Sequence, residues 1–149
     1  MDFCRQICED EQWDEISPRS FTLASKHDLN LFEAYFTKNQ GLTFIAKPVS
    51  GGQGDGLTIF RSLNELHKLQ GQVVQEYIDR PLLIGGLKFD LRVYVVTMGS
   101  GTAMRSYICN EGLARFCTKP YQKVTNKNLR DEAMHFTNYS ITKMSKDYI

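Results

Sequence analysis

Hydrophobic residues in the first quarter of the chain follow a helical period. After a turn and a short β-prone piece in "SPRSFTL" (17–23), apolar residues recur on one face between Asp28 and Lys38, namely Leu31, Phe32, Tyr35 and Phe36. Residues spaced at i, i+1, i+4 and i+5 share one side of a helix, so this segment is predicted to be an amphipathic helix. The Asn-Gln-Gly sequence that follows is predicted to end it.

The pattern then changes to short β-prone runs. "TFIAK" (43–47) and "LTIF" (57–60) predict two strands joined by a glycine-rich loop. Ser62 followed by Glu65 has the spacing of a capping box, which predicts the start of a helix. "QVVQEYI" (72–78) predicts a further strand.

The second half of the chain is dominated by extended patterns. "LKFDLRVYVVTM" (87–98) predicts a long strand, with "AMRSYIC" (103–109) as its antiparallel partner and "GLARFC" (112–117) as a further short strand. Residues 121–133 are predicted to be a loop or a poor helix, and "MHFTNYSI" (134–141) to be extended. The predicted class is α+β, with mostly antiparallel sheets and flanking helices.

Composition restricts the kind of protein. The 149 residues are 42% apolar and 23% charged, with a formal net charge of +1, as in a single soluble domain with no global preference for nucleic acid or membranes. No apolar run approaches the roughly 20 residues of a membrane span, and the acidic N-terminus is unlike a signal peptide. The four cysteines match no zinc or redox spacing, which predicts reduced thiols: Cys4, Cys8, Cys109 and Cys117.

The glycine-rich loop "SGGQGDG" (50–56) is a candidate phosphate cover. No Gly-Lys-Ser/Thr follows it, which excludes a Walker A loop, and a strand follows it instead of the helix of a Rossmann fingerprint. A glycine loop between two strands can lie over nucleotide phosphates, with Lys47 just before it. Taken alone, the loop fits a flexible hairpin tip equally well.

Two further patterns could serve a nucleotide. In the long strand, Lys88, Asp90 and Arg92 fall on one face, a charge pattern that suits a polyphosphate but is also common on a solvated face. The end of "VVQEYI" (73–78) could present backbone groups to an adenine ring in an apolar slot, although alone it is just a strand end.

Taken together and in order, these patterns resemble the tubulin tyrosine ligase-like family of ATP-grasp ligases, and most of all its polyglutamylases. The motifs that carry the resemblance are "KPVSGGQGDGL", "VVQEYIDRPLLIGGLKFDLRVYVV", "EGLARFCTKPY" and "MHFTNYSITK". The resemblance implies an incomplete ATP-grasp fold in three parts. Residues 1–40 would be an N-terminal lead-in segment, 41–80 the phosphate-loop lobe with the adenine hinge, and 81–149 the start of a truncated C-terminal lobe.

The resemblance also implies a function. It implies ATP-dependent ligation of glutamate to carboxylates of tubulin through an acyl-phosphate. Glutamate is favoured because the glycine loop, with Gln53, resembles that of the chain-elongating glutamylases. Glycine and tyrosine ligation are alternatives, as is a non-catalytic fragment that binds ATP or tubulin. Expected partners are tubulin or microtubules and free glutamate, with no nucleic acid or membrane. A monomer is expected, in the cytoplasm on the cytoskeleton, including the cilium or basal body.

Individual roles are carried over by motif. ATP binding is implied for Lys47, Gln53, Gly54, Gln75, Glu76, Tyr77, Ile78, Lys88, Asp90, Thr137 and Asn138. Catalysis is implied for Arg92 and Arg115, and binding of the free amino acid for Arg115, Tyr139, Ser140 and Lys143.

The residues present give less support for a general base and for a metal ion. His135 is a candidate base by residue type, but a structural histidine is the preferred interpretation. The resemblance implies Mg²⁺ with ATP, and the family's metal ligands are expected beyond Ile149. No metal ligand is therefore assigned within this chain, and we expect the 149 residues alone not to be a competent ligase.

Overall fold

The computed structural model describes residues 17–143 except Gly51, Gln53 and Glu65. It is a mixed α+β structure with antiparallel sheets and few helices, which confirms the predicted class. The chain divides into two compact units, one containing the residues up to Pro81 with Lys123–Arg130, the other Leu82–Gln122 with the residues from Asp131 onwards. Among the described residues, no helix has the length and apolar character needed to cross a membrane.

The first unit is built on a four-stranded sheet. Its antiparallel strands lie in the order β1-β4-β2-β3, and they are β1 (Ser20–Thr22), β2 (Phe44–Pro48), β3 (Thr58–Phe60) and β4 (Gln72–Glu76). The pairing of β2 with β3 confirms the predicted hairpin around the glycine-rich loop.

Helix α1 (Lys26–Lys38) confirms the predicted amphipathic helix. Ser25 begins it with a capping box, in which its hydroxyl accepts from the Asp28 N–H and the Asp28 carboxylate accepts from the Ser25 N–H. Phe32 of this helix is fully buried and packs edge-on against Phe44 of β2, with ring centroids 5.3 Å apart. The helix is therefore held against the strand that carries Lys47.

The buried core of the first unit lies between α1 and the sheet. It consists of Leu23, Phe32, Phe44, Ala46, Leu69 and Val74. Ala46 and Val74 are direct cross-strand partners in β2 and β4. Because both are fully buried, the register of these two strands is strongly specified, and with it the positions of their neighbours Lys47 and Gln75.

The second unit contains the longest strands. Its sheet has the order β5-β6-β7, with β5 (Leu83–Ile84), β6 (Leu87–Met98) and β7 (Arg105–Phe116) antiparallel. A single 3₁₀ turn (Gly101–Ala103) joins β6 to β7, and two short helices follow, α2 (Glu132–His135) and α3 (Tyr139–Thr142). The long strand 87–98 is confirmed.

Three local predictions were wrong. The helix expected from Ser62 is only a 3₁₀ turn (Leu66–Leu69), because one turn is enough to bury Leu69 before Gly71 reverses the chain with φ of +77°. Glu65 of the expected capping box is not among the described residues. "GLARFC" (112–117) is not a separate strand, since residues up to Phe116 continue β7 beyond an irregularity in its pairing near Val93.

The stretch 134–141, expected to be extended, instead contains the end of α2 and the start of α3. Each helix is one turn closed by local bonds, as when the Asn138 carbonyl accepts from the N–H groups of Ile141 and Thr142. Only Phe136 to Asn138 keep a non-helical backbone between them. Thr137 in this link is buried and lies beside β6 through its hydrogen bond to Asp90.

Candidate active site

The glycine-rich loop lies at the tip of the β2–β3 hairpin. Gly54 and Gly56 have φ of +91° and +71°, in the left-handed region that favours glycine. A Cβ atom on Gly56 would lie 2.8 Å from Cγ of Pro48, so this position also lacks room for a side chain. Gln53 of the same loop lies outside the described residues. The loop is therefore a bent backbone segment that any larger residue at Gly56 would disturb.

Lys47 lies at the base of this hairpin and is half-buried. Its Nζ donates a hydrogen bond to Oε1 of Gln75 on β4, at 2.6 Å. Gln75 is itself buried, and its Nε2 donates to Oγ of Ser20 at 2.9 Å. Burial lowers the pKa of Lys47 from its ordinary value of 10.5, because the charged ammonium is partly removed from water. The structure thus holds a partly desolvated cation at the base of the glycine loop.

The segment expected to be the adenine hinge, residues 75–78, continues from β4, and some of its backbone N–H groups already donate hydrogen bonds. The N–H of Glu76 donates to the Arg19 carbonyl at 2.9 Å, and the N–H of Tyr77 donates to the Thr43 carbonyl at 2.8 Å. The next residue, Ile78, is outside the strand and 57% exposed. A ligand edge that needs a backbone donor here would therefore find it at Ile78 and not at Glu76 or Tyr77.

In the second unit, Asp90 and Arg115 form a two-point ion pair. They are direct partners in the β6–β7 register, and Nε and Nη2 of Arg115 donate to Oδ1 and Oδ2 of Asp90 at 2.7 and 2.5 Å. The Thr137 hydroxyl donates to the same Oδ2 at 2.8 Å. Both carboxylate oxygens are thus engaged, and the guanidinium is held in one plane.

The surroundings of Asp90 shift both pKa values. Burial alone would raise the pKa of Asp90, but hydrogen bonds from Arg115 and Thr137 and the charges of Arg115 and Arg92 outweigh it, so the pKa lies below 3.8. The hydrogen bond to Asp90 raises the pKa of Arg115, against the smaller opposing effect of burial. The pair is therefore charged throughout the physiological range.

Lys88 lies two residues before Asp90 on the same face of β6. Its Nζ donates to the backbone carbonyl of His135 at 2.7 Å. His135 is 1% exposed, and its ring lies edge-on to Tyr121. This burial fits the structural interpretation of the histidine. Residues 135–137 therefore support both Lys88, through a carbonyl, and Asp90, through a hydroxyl.

The remaining predicted residues of the second unit lie on β6 and in or beside α3. Arg92 is exposed on β6 opposite Leu113, and the Asn138 backbone begins α3. Tyr139 is exposed, with Nζ of Lys143 over its ring at 5.5 Å, and Ser140 is half-buried. Lys47 and Gln75 belong to the first unit.

Comparison with known proteins identifies the family. The sequence profile of the tubulin-tyrosine ligase family matches residues 2–149. The chain belongs to this family. Similar proteins include the human tubulin polyglutamylase TTLL13, 40% identical over 134 residues, which cover 90% of this chain and 16% of that protein.

Two other relatives have about the same sequence identity to this chain. The human tubulin polyglutamylase TTLL11 is 42% identical over 89% of the chain and 20% of its own length. A probable beta-tubulin polyglutamylase of Tetrahymena thermophila is 41% identical over 88% of the chain and 11% of its own length. The chain therefore spans at most a fifth of the length of these three relatives.

The two groups that the family implies, ATP and Mg²⁺, fit the described residues differently. A glycine loop beside a half-buried lysine is a donor set that suits a polyphosphate. Within residues 17–143 as described, no three His, Cys, Asp or Glu side chains gather into a group that could hold a metal ion. Both oxygens of Asp90 accept from Arg115 or Thr137. The described residues therefore do not fit a Mg²⁺ ion.

Sequence reasoning missed three contacts of the candidate site. It did not pair Asp90 with Arg115, because that contact depends on the register of β6 and β7. It did not pair Thr137 with Asp90, because the two residues are 47 positions apart in the sequence. It also placed Tyr35 only on the apolar face of α1, whereas its hydroxyl donates to Glu76 of the expected hinge. The one available signal was the residue type, since a tyrosine in an apolar stripe brings a hydroxyl that needs a partner.

Proposed function

We propose that this chain is the nucleotide-binding part of an ATP-dependent ligase that joins glutamate to tubulin side-chain carboxylates through an acyl-phosphate. The observation that carries this proposal is the similarity, over about nine-tenths of the chain, to proteins named tubulin polyglutamylases. The geometry supports it, because candidate residues from separate motifs come together around Asp90. The domain roles expected from the sequence, with a phosphate-loop lobe followed by a second ATP-grasp lobe, form part of the proposal.

ATP would be held in the first unit by the glycine hairpin, by Lys47 and by the hinge after β4. When bound, ATP supplies the phosphoryl group that activates a carboxylate. Lys47 is suited to the phosphates because its ammonium is only partly hydrated, and a polyphosphate would compete with Gln75 for it. The adenine edge would meet the backbone of Ile78, since the N–H groups of Glu76 and Tyr77 are used in the sheet.

The second unit would stabilise the charge that develops during transfer. Fixed cations lower the barrier of such reactions because they are oriented before the charge appears. Arg115 is the best oriented of these cations, since Asp90 holds its guanidinium at two points. Lys88 is fixed by the His135 carbonyl, and Arg92 extends the positive charge along the strand.

The free amino acid would bind near α3 and Arg115. Glutamate has two carboxylates, and Arg115 and Lys143 would neutralise them while Tyr139 and Ser140 complete the contacts. Glycine and tyrosine are the competing substrates. Requirements for Mg²⁺, action on microtubules as a monomer, and a location in the cytoplasm that includes the cilium or basal body belong to the same proposal.

A competition assay tests this function. The full-length protein is incubated with purified tubulin, ATP and Mg²⁺, and with labelled glutamate, glycine or tyrosine in separate reactions. We expect ATP-dependent incorporation of glutamate above that of the other two. Preferential incorporation of glycine or tyrosine would overturn the choice of glutamate, and ATP binding by calorimetry without any incorporation would replace the ligase with a non-catalytic binding module.

A further inference from the structure

A tyrosine outside every site motif contacts the hinge. The hydroxyl of Tyr35, on helix α1, donates a hydrogen bond to Oε1 of Glu76 at the end of β4. The two residues are 41 positions apart, and both are half-buried. A hydrogen bond to a charged carboxylate is stronger than one between neutral groups. The helix is thereby tied directly to the last residue of the strand that leads into the hinge.

Glu76 is held at its backbone as well as at its side chain. Its N–H donates to the Arg19 carbonyl at 2.9 Å, and the Arg19 guanidinium lies over the Tyr35 ring, 5.2 Å from its centroid. The Tyr35 ring also packs on Phe21 of β1, with centroids 5.1 Å apart. Arg19, Tyr35 and Glu76 therefore contact one another. Glu76 is held at the position where the chain leaves β4 and continues into Tyr77 and Ile78.

The position of Tyr35 in its helix makes the contact specific. The helix is already packed through Phe32, which is fully buried in the core, so the Tyr35 hydroxyl is not needed to attach the helix to the sheet. A phenylalanine at position 35 would keep the packing on Phe21 and Phe44 and lose the hydrogen bond to Glu76.

We infer that Tyr35 is a positioning residue for the nucleotide hinge: its hydroxyl orients Glu76, and so sets where the backbone of Ile78 meets the base. This inference rests on the proposed function, because it concerns the same ATP site. It assigns to α1 a part in nucleotide affinity, whereas the motifs alone give the helix only a role in packing.

The test compares Tyr35→Phe with the wild type in the full-length protein. We expect the Kd for ATP by calorimetry and the KM for ATP to rise about fivefold, which corresponds to the loss of one hydrogen bond. The KM for glutamate and kcat should stay within about twofold. In the protein without nucleotide, amide exchange of a peptide covering residues 72–81 should become faster, because its anchor has been removed.

Tyr107→Phe is the matched control. Tyr107 lies on β7, is 55% exposed, and lies outside the candidate site, so losing its hydroxyl should change none of these readouts. Should Tyr35→Phe prove unstable, Glu76→Gln and Glu76→Ala replace it. Glutamine keeps an acceptor for the tyrosine, so it should retain more ATP affinity than alanine does.

Several results would overturn the inference. Unchanged ATP affinity and unchanged exchange in Tyr35→Phe would do so, and so would equal losses in the two Glu76 variants. A uniform fall in stability, kcat and both KM values would show a structural role only. A wild-type protein that neither binds ATP nor incorporates glutamate would overturn the proposed function together with this inference, whereas an active wild type with an unaffected Tyr35→Phe variant would overturn the inference alone.

Discussion

Asp90 and Arg115 face each other directly across β6 and β7, and two hydrogen bonds of 2.7 and 2.5 Å join them. Their side chains are about one-third exposed, so the pair lies at the surface of its unit and not within a core. Ion pairs with this exposure contribute little to folding stability. The two-point geometry, supported by Thr137, is better explained as a device for orienting the guanidinium.

Replacing Arg115 by lysine tests whether the reaction needs the planar guanidinium or only its positive charge. Arg115→Lys keeps the positive charge but cannot form the planar two-point contact with Asp90. We expect kcat/KM for glutamate incorporation to fall at least about tenfold, while the melting temperature changes by less than about 3 °C. The measurements are steady-state kinetics and thermal unfolding of the full-length protein. A variant with normal kinetics would mean that the guanidinium plane has no part in the reaction.

The low pKa of Asp90 gives a pH prediction with a definite sign. Because the folded-state pKa lies below the ordinary value of 3.8, folding favours the carboxylate. Its contribution to stability is complete above that value and is lost as the pH falls through the folded-state pKa. The difference in melting temperature between the wild type and Asp90→Asn should thus be constant above about pH 5 and shrink below pH 4. A difference that grows on acidification would contradict this prediction.

The sequence predicted those features that repeat along the chain. Helix α1 and strand β6 each carry a pattern over more than ten residues, and a period can be recognised at that length. Helices α2 and α3 are single turns of four residues, too short to show any period. Their segment therefore looked extended, whereas local backbone bonds, such as those to the Asp131 and Asn138 carbonyls, make it helical.

The candidate site was predictable as a set of residues but not as a set of contacts. Asp90, Arg115 and Thr137 were each predicted from a different motif. Which of them touch depends on the register of β6 and β7, and that register shifts between Val93 and Val95. A shift of this kind leaves no sign in hydrophobic alternation. The Tyr35–Glu76 bond was unpredictable for a similar reason, because it depends on how α1 lies on the sheet.

Glycine at position 56 should be irreplaceable, in contrast to Gly52. Gly56 has φ of +71°, and a Cβ there would lie 2.8 Å from Pro48, whereas a Cβ on Gly52 would meet nothing within 4 Å. Gly56→Ala should destabilise the protein by about 1–3 kcal/mol because of backbone strain. Gly52→Ala, the matched control, should leave stability nearly unchanged. Chemical denaturation measures both, and equal stabilities of the two variants would refute the strained geometry of the loop.

Lys88 should matter more for the reaction than exposed lysines do. Its Nζ is fixed on the His135 carbonyl, so a phosphate would meet a cation already in place. Lys88→Ala should reduce turnover at least about tenfold, since it removes a charge-assisted contact. Lys123→Ala is the control, because Lys123 is exposed and lies outside the candidate site. Similar turnover in the two variants would place Lys88 outside the reaction.

One face of the β6–β7 hairpin should limit the solubility of the 149-residue chain. Val95 and Ile108 are direct cross-strand partners, and they are 57% and 71% exposed. Leu91 and Val93 of the same hairpin are also exposed. Contiguous exposed apolar side chains favour association between molecules.

Replacing that pair by opposite charges tests the effect. Val95→Lys combined with Ile108→Glu removes two apolar side chains and installs a cross-strand ion pair of opposite charges. We expect less light scattering from the chain at a given concentration. Thr97→Lys with Ser106→Glu is the control, because this neighbouring pair is already polar and joined by a hydroxyl hydrogen bond of 2.9 Å. If both double variants reduced scattering equally, added charge and not the removal of apolar surface would be the cause.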